Sequence, residues 1–225
     1  MAFKMFILAF SVLLCARVSL GKINCKDICE RSERSKAVPR EVSDFKDYCV
    51  EMKSHLRCLK EWQDECGQEY RVVFFETTEI FEATYNILTE ICEEGTLLNT
   101  VATENLKCVN KTFSRTRCHE EAEEIVEPFI KRVRENEEFK HSLSVFCLRS
   151  ALVTDCALRA MSDNCGKTLE DAALETLYRS KYLKHACIEM DARSDLDALD
   201  NLDLSEDKKR SVSLLLAKLM EENNA

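Results

Sequence analysis

The sequence predicts an all-α protein, and three observations carry that prediction. Beyond the first 21 residues only three glycines (Gly67, Gly95, Gly166) and two prolines (Pro39, Pro128) occur, far fewer turn formers than a β-sandwich of this size requires. Glu, Lys, Leu and Ala dominate instead, and these residues lose little on entering a helix. Apolar residues and cysteines recur at three- and four-residue steps, the period of a helix with one buried face. The cysteines also repeat as a set. Cys49, Cys58, Cys66 and Cys92 are answered about 98 residues later by Cys147, Cys156, Cys165 and Cys187, and Asp64-Glu65-Cys66-Gly67 is matched by Asp163-Asn164-Cys165-Gly166. Thiols at repeated positions describe one covalent framework used twice.

Residues 1–21 read as a secretory signal peptide. Lys4 gives the positive start, Met5 to Cys15 the apolar core, and Ser19-Leu20-Gly21 the small-residue cleavage site. The apolar core is shorter than the roughly 20 residues of a membrane span, and Arg17 interrupts its end. No later segment is apolar enough to cross a bilayer, so the chain is expected to be released outside the cell. Cys15 leaves with the signal, taking 13 thiols to 12, an even number that an oxidising compartment pairs by default. A chain of this length also builds a core of its own, so the bridges add to packing rather than replace it. Loss of Lys4 and Arg17 moves the formal charge from −9 to −11. With a pI near 5.2, that acidity argues against nucleic acid and anionic membranes, both of which attract basic patches.

Residues 22–100 form the first expected six-cysteine helical repeat, with Cys25 and Cys29 ahead of Cys49, Cys58, Cys66 and Cys92. Ser43 is placed to cap a helix running to Cys66. On it Cys49, Met52, Leu56 and Leu59 share one face, and Cys58, Trp62 and Cys66 form a second line. A further helical segment from about Glu69 to Cys92 carries the stripe Phe74, Phe81, Tyr85, Leu88 and Cys92. Residues 101–190 form the second repeat, with Cys108 and Cys118 ahead of Cys147, Cys156, Cys165 and Cys187. Its helices are expected over Leu143 to Cys165 and Leu169 to Cys187. Gly67 and Gly166 are expected to stop helices, and Pro39 and Pro128 to start or bend them. Six thiols allow 15 pairings, so connectivity stays open; corresponding cysteines are expected to pair in corresponding ways, within their own repeat. Residues 191–225 are an acidic connector and an amphipathic C-terminal helix from about Ser205, with Val212, Leu215, Leu216, Leu219 and Met220 on one face.

Candidate chemistry is sparse. Asn110-Lys111-Thr112 is the one N-x-S/T sequon, an expected N-glycan acceptor on a secreted chain. Cys25-x₃-Cys29 has no answering pair, so no metal site is expected. Asp195-Leu196-Asp197 has the alternation of a calcium loop but lacks its glycine. His55, His119, His141 and His185 carry no local catalytic signature, and no nucleophile elbow, zinc helix or phosphate loop occurs. No cofactor is expected. Small secreted phospholipases, which also combine helices and disulfides, set histidine beside aspartate; none of these histidines precedes one.

Cys108-Val109-Asn110-Lys111-Thr112-Phe113, together with the later cysteines about nine residues apart, resembles the 27 kDa haemolymph glycoprotein family of arthropods. The resemblance covers roughly residues 25–190. It implies an extracellular body-fluid glycoprotein without known catalysis. A helical cysteine-rich domain of unknown function, expanded in nematodes, has similar spacing; the close cysteine pairs of saposins are not reproduced. The expected function is therefore non-enzymatic binding of a small apolar ligand or of a protein partner. The aromatic stripe is a candidate lining for the ligand, although core packing is the commoner fate of such a stripe. The alternatives are a venom or salivary protein acting on a host or prey target, and a lipolytic enzyme using one of the four histidines.

Overall fold

The computed structural model describes residues 29, 39–66, 78–135, 145–182, 184, 187, 196 and 199–222; seven extended helices and no strand occur among those residues. Residues 1–21, Cys25, Gly67, Phe74, Leu143 and half of the acidic connector (191–195, 197 and 198) lie outside them.

Helix α1 spans Val42–Cys66. It begins ahead of Ser43, and Asp44 does the capping: its Oδ2 accepts the amides of Arg40 and Glu41 at 3.2 and 3.3 Å. A carboxylate in the first turn satisfies amides left without helical partners and suits the positive helix end. Cys49, Met52, Leu56, Leu59, Trp62 and Cys66 are all buried, while Val50 is 70% exposed. Helix α2 covers Thr78–Ile91. A tight turn follows, in which Gly95 takes φ 90°. The Thr96 hydroxyl donates to the Glu90 carbonyl at 2.8 Å and accepts the Asn99 amide at 3.1 Å, which caps helix α3, Leu97–Phe113.

Helix α4, Cys118–Glu135, contains Pro128 in its interior, neither at a helix start nor at a bend between helices. Proline removes one amide donor from the ladder. Its partner would be Glu124, which like Pro128 faces solvent, where water can take the freed carbonyl. Helix α5, Val145–Cys165, is followed at once by α6, Lys167–Arg179. Between them Gly166 adopts φ 92°, ψ 164°, a region essentially reserved for glycine. Helix α6 stops at Arg179, short of the expected Cys187. Ser180 caps it and Lys181 turns into positive φ at 54°, an uncommon place for a residue with a side chain.

Helix α7, Glu206–Glu222, packs its Val212, Leu215 and Leu216 into the main core. Ser205 accepts the Lys208 amide at 3.4 Å through its hydroxyl. The buried Asp155 of α5 ties α7 down: Arg159 lies 3.0 Å away on its own helix, Ser211 of α7 donates to the same carboxylate, and Arg159 also reaches the Asp207 carbonyl at 3.2 Å. Lys218 sits 3.9 Å above the Tyr178 ring. From the connector, Leu199 and Leu202 are buried in the same core. The leucines between its acids therefore pack, while Asp200 and Asp203 stay exposed.

Helix α5 is the hub, touching α3, α4, α6 and α7. Its core takes in Val109, Phe113, Val126, Leu152, Leu177 and Leu216, so it runs from α3 to the C-terminal helix. Helices α1 and α2 pack in smaller clusters, one around Phe45, Met52 and Leu106 and one around Leu59, Trp62 and Phe81. Five bridges join described cysteines. Cys29–Cys58 and Cys49–Cys92 close before the α2–α3 turn; Cys108–Cys165, Cys118–Cys156 and Cys147–Cys187 close after it. Cys29–Cys58 has the sequence position of Cys118–Cys156, and Cys49–Cys92 that of Cys147–Cys187. Cys66 is bridged as well.

Candidate functional site

Where α1 and α2 rest on α3 and α6, the apolar faces leave a cleft of about 90 Å³. Each wall follows from a helical period. Helix α1 brings Phe45, Tyr48 and Met52, α2 brings Leu88 and Ile91, and α3 brings Val101 and Ala102. Helix α6 closes it with Leu169, Ala172 and Ala173. The alanines make the space, since a larger side chain at 102, 172 or 173 would fill it. No lining residue is charged. Thr176, the polar exception on α6, gives its hydroxyl to the Ala172 carbonyl at 2.7 Å, within its own helix. Leu88, Ile91, Ala102, Ala172 and Ala173 are each only partly buried, and they mark the side on which the cleft opens.

The seam beside this opening is polar. The Thr84 hydroxyl donates to the Ser180 carbonyl at 3.2 Å, in a buried setting. Arg179 grips the Glu90 carboxylate, with Nη1 donating at 3.1 Å. Lys181 pairs with Glu79, and Lys184 lies 3.9 Å from the same carboxylate. The hydrogen bond from Arg179 holds the Glu90 carboxyl below its ordinary range, and the hydrogen bond from Lys181 does the same for Glu79. Burial pushes the Tyr182 hydroxyl up. Beside the apolar lining, α2 is thus tied to the end of α6 by a buried hydrogen bond and by exposed ion pairs, the latter individually weak.

A second, more open groove of about 570 Å³ runs along α1 and α3 over the Cys49–Cys92 region. The exposed Val42 and Val50 stand on one side with Lys46 and Lys53, and Glu93 and Glu94 on the other. Lys46 and Glu94 pair at 2.8 Å.

The remaining candidates are dispersed. His119 is exposed at the start of α4, 3.7 Å from Glu123. His55 is buried in α1 rather than on the surface, and His141 and His185 lie outside the described residues. No cluster of three His, Cys, Asp or Glu suited to a metal occurs among the described residues, and no described helix is long and apolar enough to cross a membrane. Asn110 lies within α3, half-buried, with its side chain hydrogen-bonded to Pro39 and Leu106. The expected stripe does reach the cleft, but through Leu88 and Cys92. Phe81 and Tyr85 pack instead around Trp62. Sequence reasoning missed the alanines that create the space, because nothing in a helical period distinguishes an alanine over a cleft from one against a neighbour. No family model matches this chain, and neither a curated protein nor a solved structure does.

Proposed function

We propose that the chain is a secreted, non-enzymatic binding protein that takes the alkyl portion of a small amphiphile into the cleft between α1–α2 and α3–α6. The observation that carries this reading is a cleft lined without a single charged side chain and opening to solvent past partly buried aliphatic residues. An apolar guest entering this cleft gains about 0.8 kcal/mol for each methylene it buries. An apolar cavity of about 150 Å³ holds benzene; the smaller cleft, at about 90 Å³, suits a slender chain end. The bridges suit an oxidising compartment, and the resemblance to haemolymph glycoproteins supports a body-fluid carrier; a venom or salivary origin is the alternative.

Protein purified from its natural secretion should release a fatty acid or related amphiphile on organic extraction, seen by mass spectrometry. Ala173→Phe should lower binding of a fluorescent fatty-acid probe at least tenfold while the bridges still form. Empty native protein, or a probe affinity untouched by Ala173→Phe and Ala102→Phe, would end this reading. The groove with exposed Val42 and Val50 favours a second reading, a protein partner held on α1. Val50→Glu would then abolish complex formation and leave probe binding unchanged.

A further inference from the structure

The sequon Asn110-Lys111-Thr112 lies within α3. Asn110 Nδ2 donates at 2.7 Å to the Pro39 carbonyl, 71 residues away, and at 2.9 Å to the Leu106 carbonyl one turn back. Both neighbours are acceptors, so the carboxamide can lie only with its nitrogen toward them, and both of its protons are engaged. The third sequon residue is no more accessible. Thr112 is 4% exposed, with its hydroxyl 3.4 Å from Cys165 Sγ at the Cys108–Cys165 bridge. Of the three positions only Lys111 faces solvent.

N-glycosylation replaces one Nδ2–H with a bond to the anomeric carbon, while the lipid pyrophosphate carrier leaves and the proton is lost to base. A single C–N bond is about 1.45 Å long. Laid along either proton direction, it would bring the sugar carbon to within roughly 1.5 Å of a carbonyl oxygen, far inside contact distance. The Leu106 carbonyl is fixed by the α3 backbone. The Pro39 carbonyl can withdraw only if the segment entering α1 lifts away. That segment is held from both sides, its carbonyl by Asn110 and its following amides by Asp44.

We propose that Asn110 is unglycosylated in the folded, secreted protein and serves instead as a clamp, fastening the entry of α1 to α3. The sequon is open to transfer only before α3 forms, and a glycan added then excludes the clamp. The inference stands apart from the ligand-binding reading, because it concerns a different face of α3.

Wild-type protein expressed through a eukaryotic secretory pathway should have the intact mass of its oxidised polypeptide, with no loss on treatment with an N-glycosidase. A folded, bridged product carrying sugar on most Asn110 side chains would overturn the proposal. The clamp has its own readout, hydrogen exchange at the Glu41–Phe45 amides. Asn110→Ala should raise it about tenfold, the size of one lost hydrogen bond. Thr112→Val destroys the sequon but keeps the carboxamide, and should leave exchange at Glu41–Phe45 at the wild-type rate. Equal exchange in Asn110→Ala and wild type would equally defeat the clamp.

Discussion

Helices α1 and α5 carry three cysteines each at intervals of eight or nine residues, and their described bridges follow the same order, yet they live in different surroundings. From Cys147 to Asp155 nearly every residue of α5 is buried, polar Ser150 and Thr154 included, because four helices surround it. Helix α1 keeps Lys46, Asp47, Val50, Lys53, Ser54 and Arg57 in solvent and leans mainly on α3. Cysteine spacing therefore selects which helices are neighbours, while the apolar residues between the cysteines decide how deeply a helix sinks. A cross-link limits the unfolded chain; it does not supply the contacts that make a core.

The largest effects should come from opening matched bridges. Cys49–Cys92 and Cys147–Cys187 span 43 and 40 residues, so chain entropy assigns about 4 kcal/mol to each and separates them by about 0.1 kcal/mol or less. Any larger difference belongs to the surroundings. Serine at Cys147 and Cys187 should lower the melting temperature of a single transition. Serine at Cys49 and Cys92 should split off an earlier one in which α1 and α2 lose exchange protection. Two identical single transitions would break the comparison. Next in size are truncations. Leu152→Ala on α5, at 1% exposure, should cost about 3–5 kcal/mol by urea unfolding, and Leu59→Ala on α1 about 2–3 kcal/mol. The reverse order would mean that α1 is the better packed helix.

Acid tests the seam between the two regions. Glu79 and Glu90 have carboxyls lowered in the fold. The stability they add is present above the unfolded-chain value of about 4.3 and is lost as pH falls through their folded values. Protection of α2 amides relative to their intrinsic exchange rate should therefore fall below about pH 4, before that of the α5 core. Smaller still, Glu90→Gln should cost roughly 0.2–1 kcal/mol, read from the urea midpoint followed by exchange protection of α2. If the two cysteine sets correspond throughout, Cys66 answers Cys165 and its partner is Cys25, the counterpart of Cys108. Non-reducing peptide mapping should recover that pair; Cys66 joined to any other cysteine would break the correspondence.

Helix content, the buried line of α1 and the apolar face of α7 were legible in the sequence, because each rests on a local period. What was not legible depended on distant partners. The stop at Arg179 has no glycine to announce it; Lys181 accepts positive φ where Ser180 receives a buried hydrogen bond from Thr84, 96 residues earlier. Pro128 reads as a breaker until solvent is seen beside Glu124. Leu199 and Leu202 read as linker residues until α5 and its neighbours supply a surface for them. The cleft needed helices far apart in sequence to converge, and the sequon gave no sign that the Pro39 carbonyl would come to accept from Asn110.

The α2–α3 turn has a practical consequence. Each bridge between described cysteines closes entirely on one side of residues 93–96. Glu93, Glu94 and Gly95 are exposed there, so one nick by a glutamate-directed protease would sever the only covalent thread those bridges leave between the pieces. The cut molecule would migrate as one species in native gels and as two in denaturing gels run without reductant.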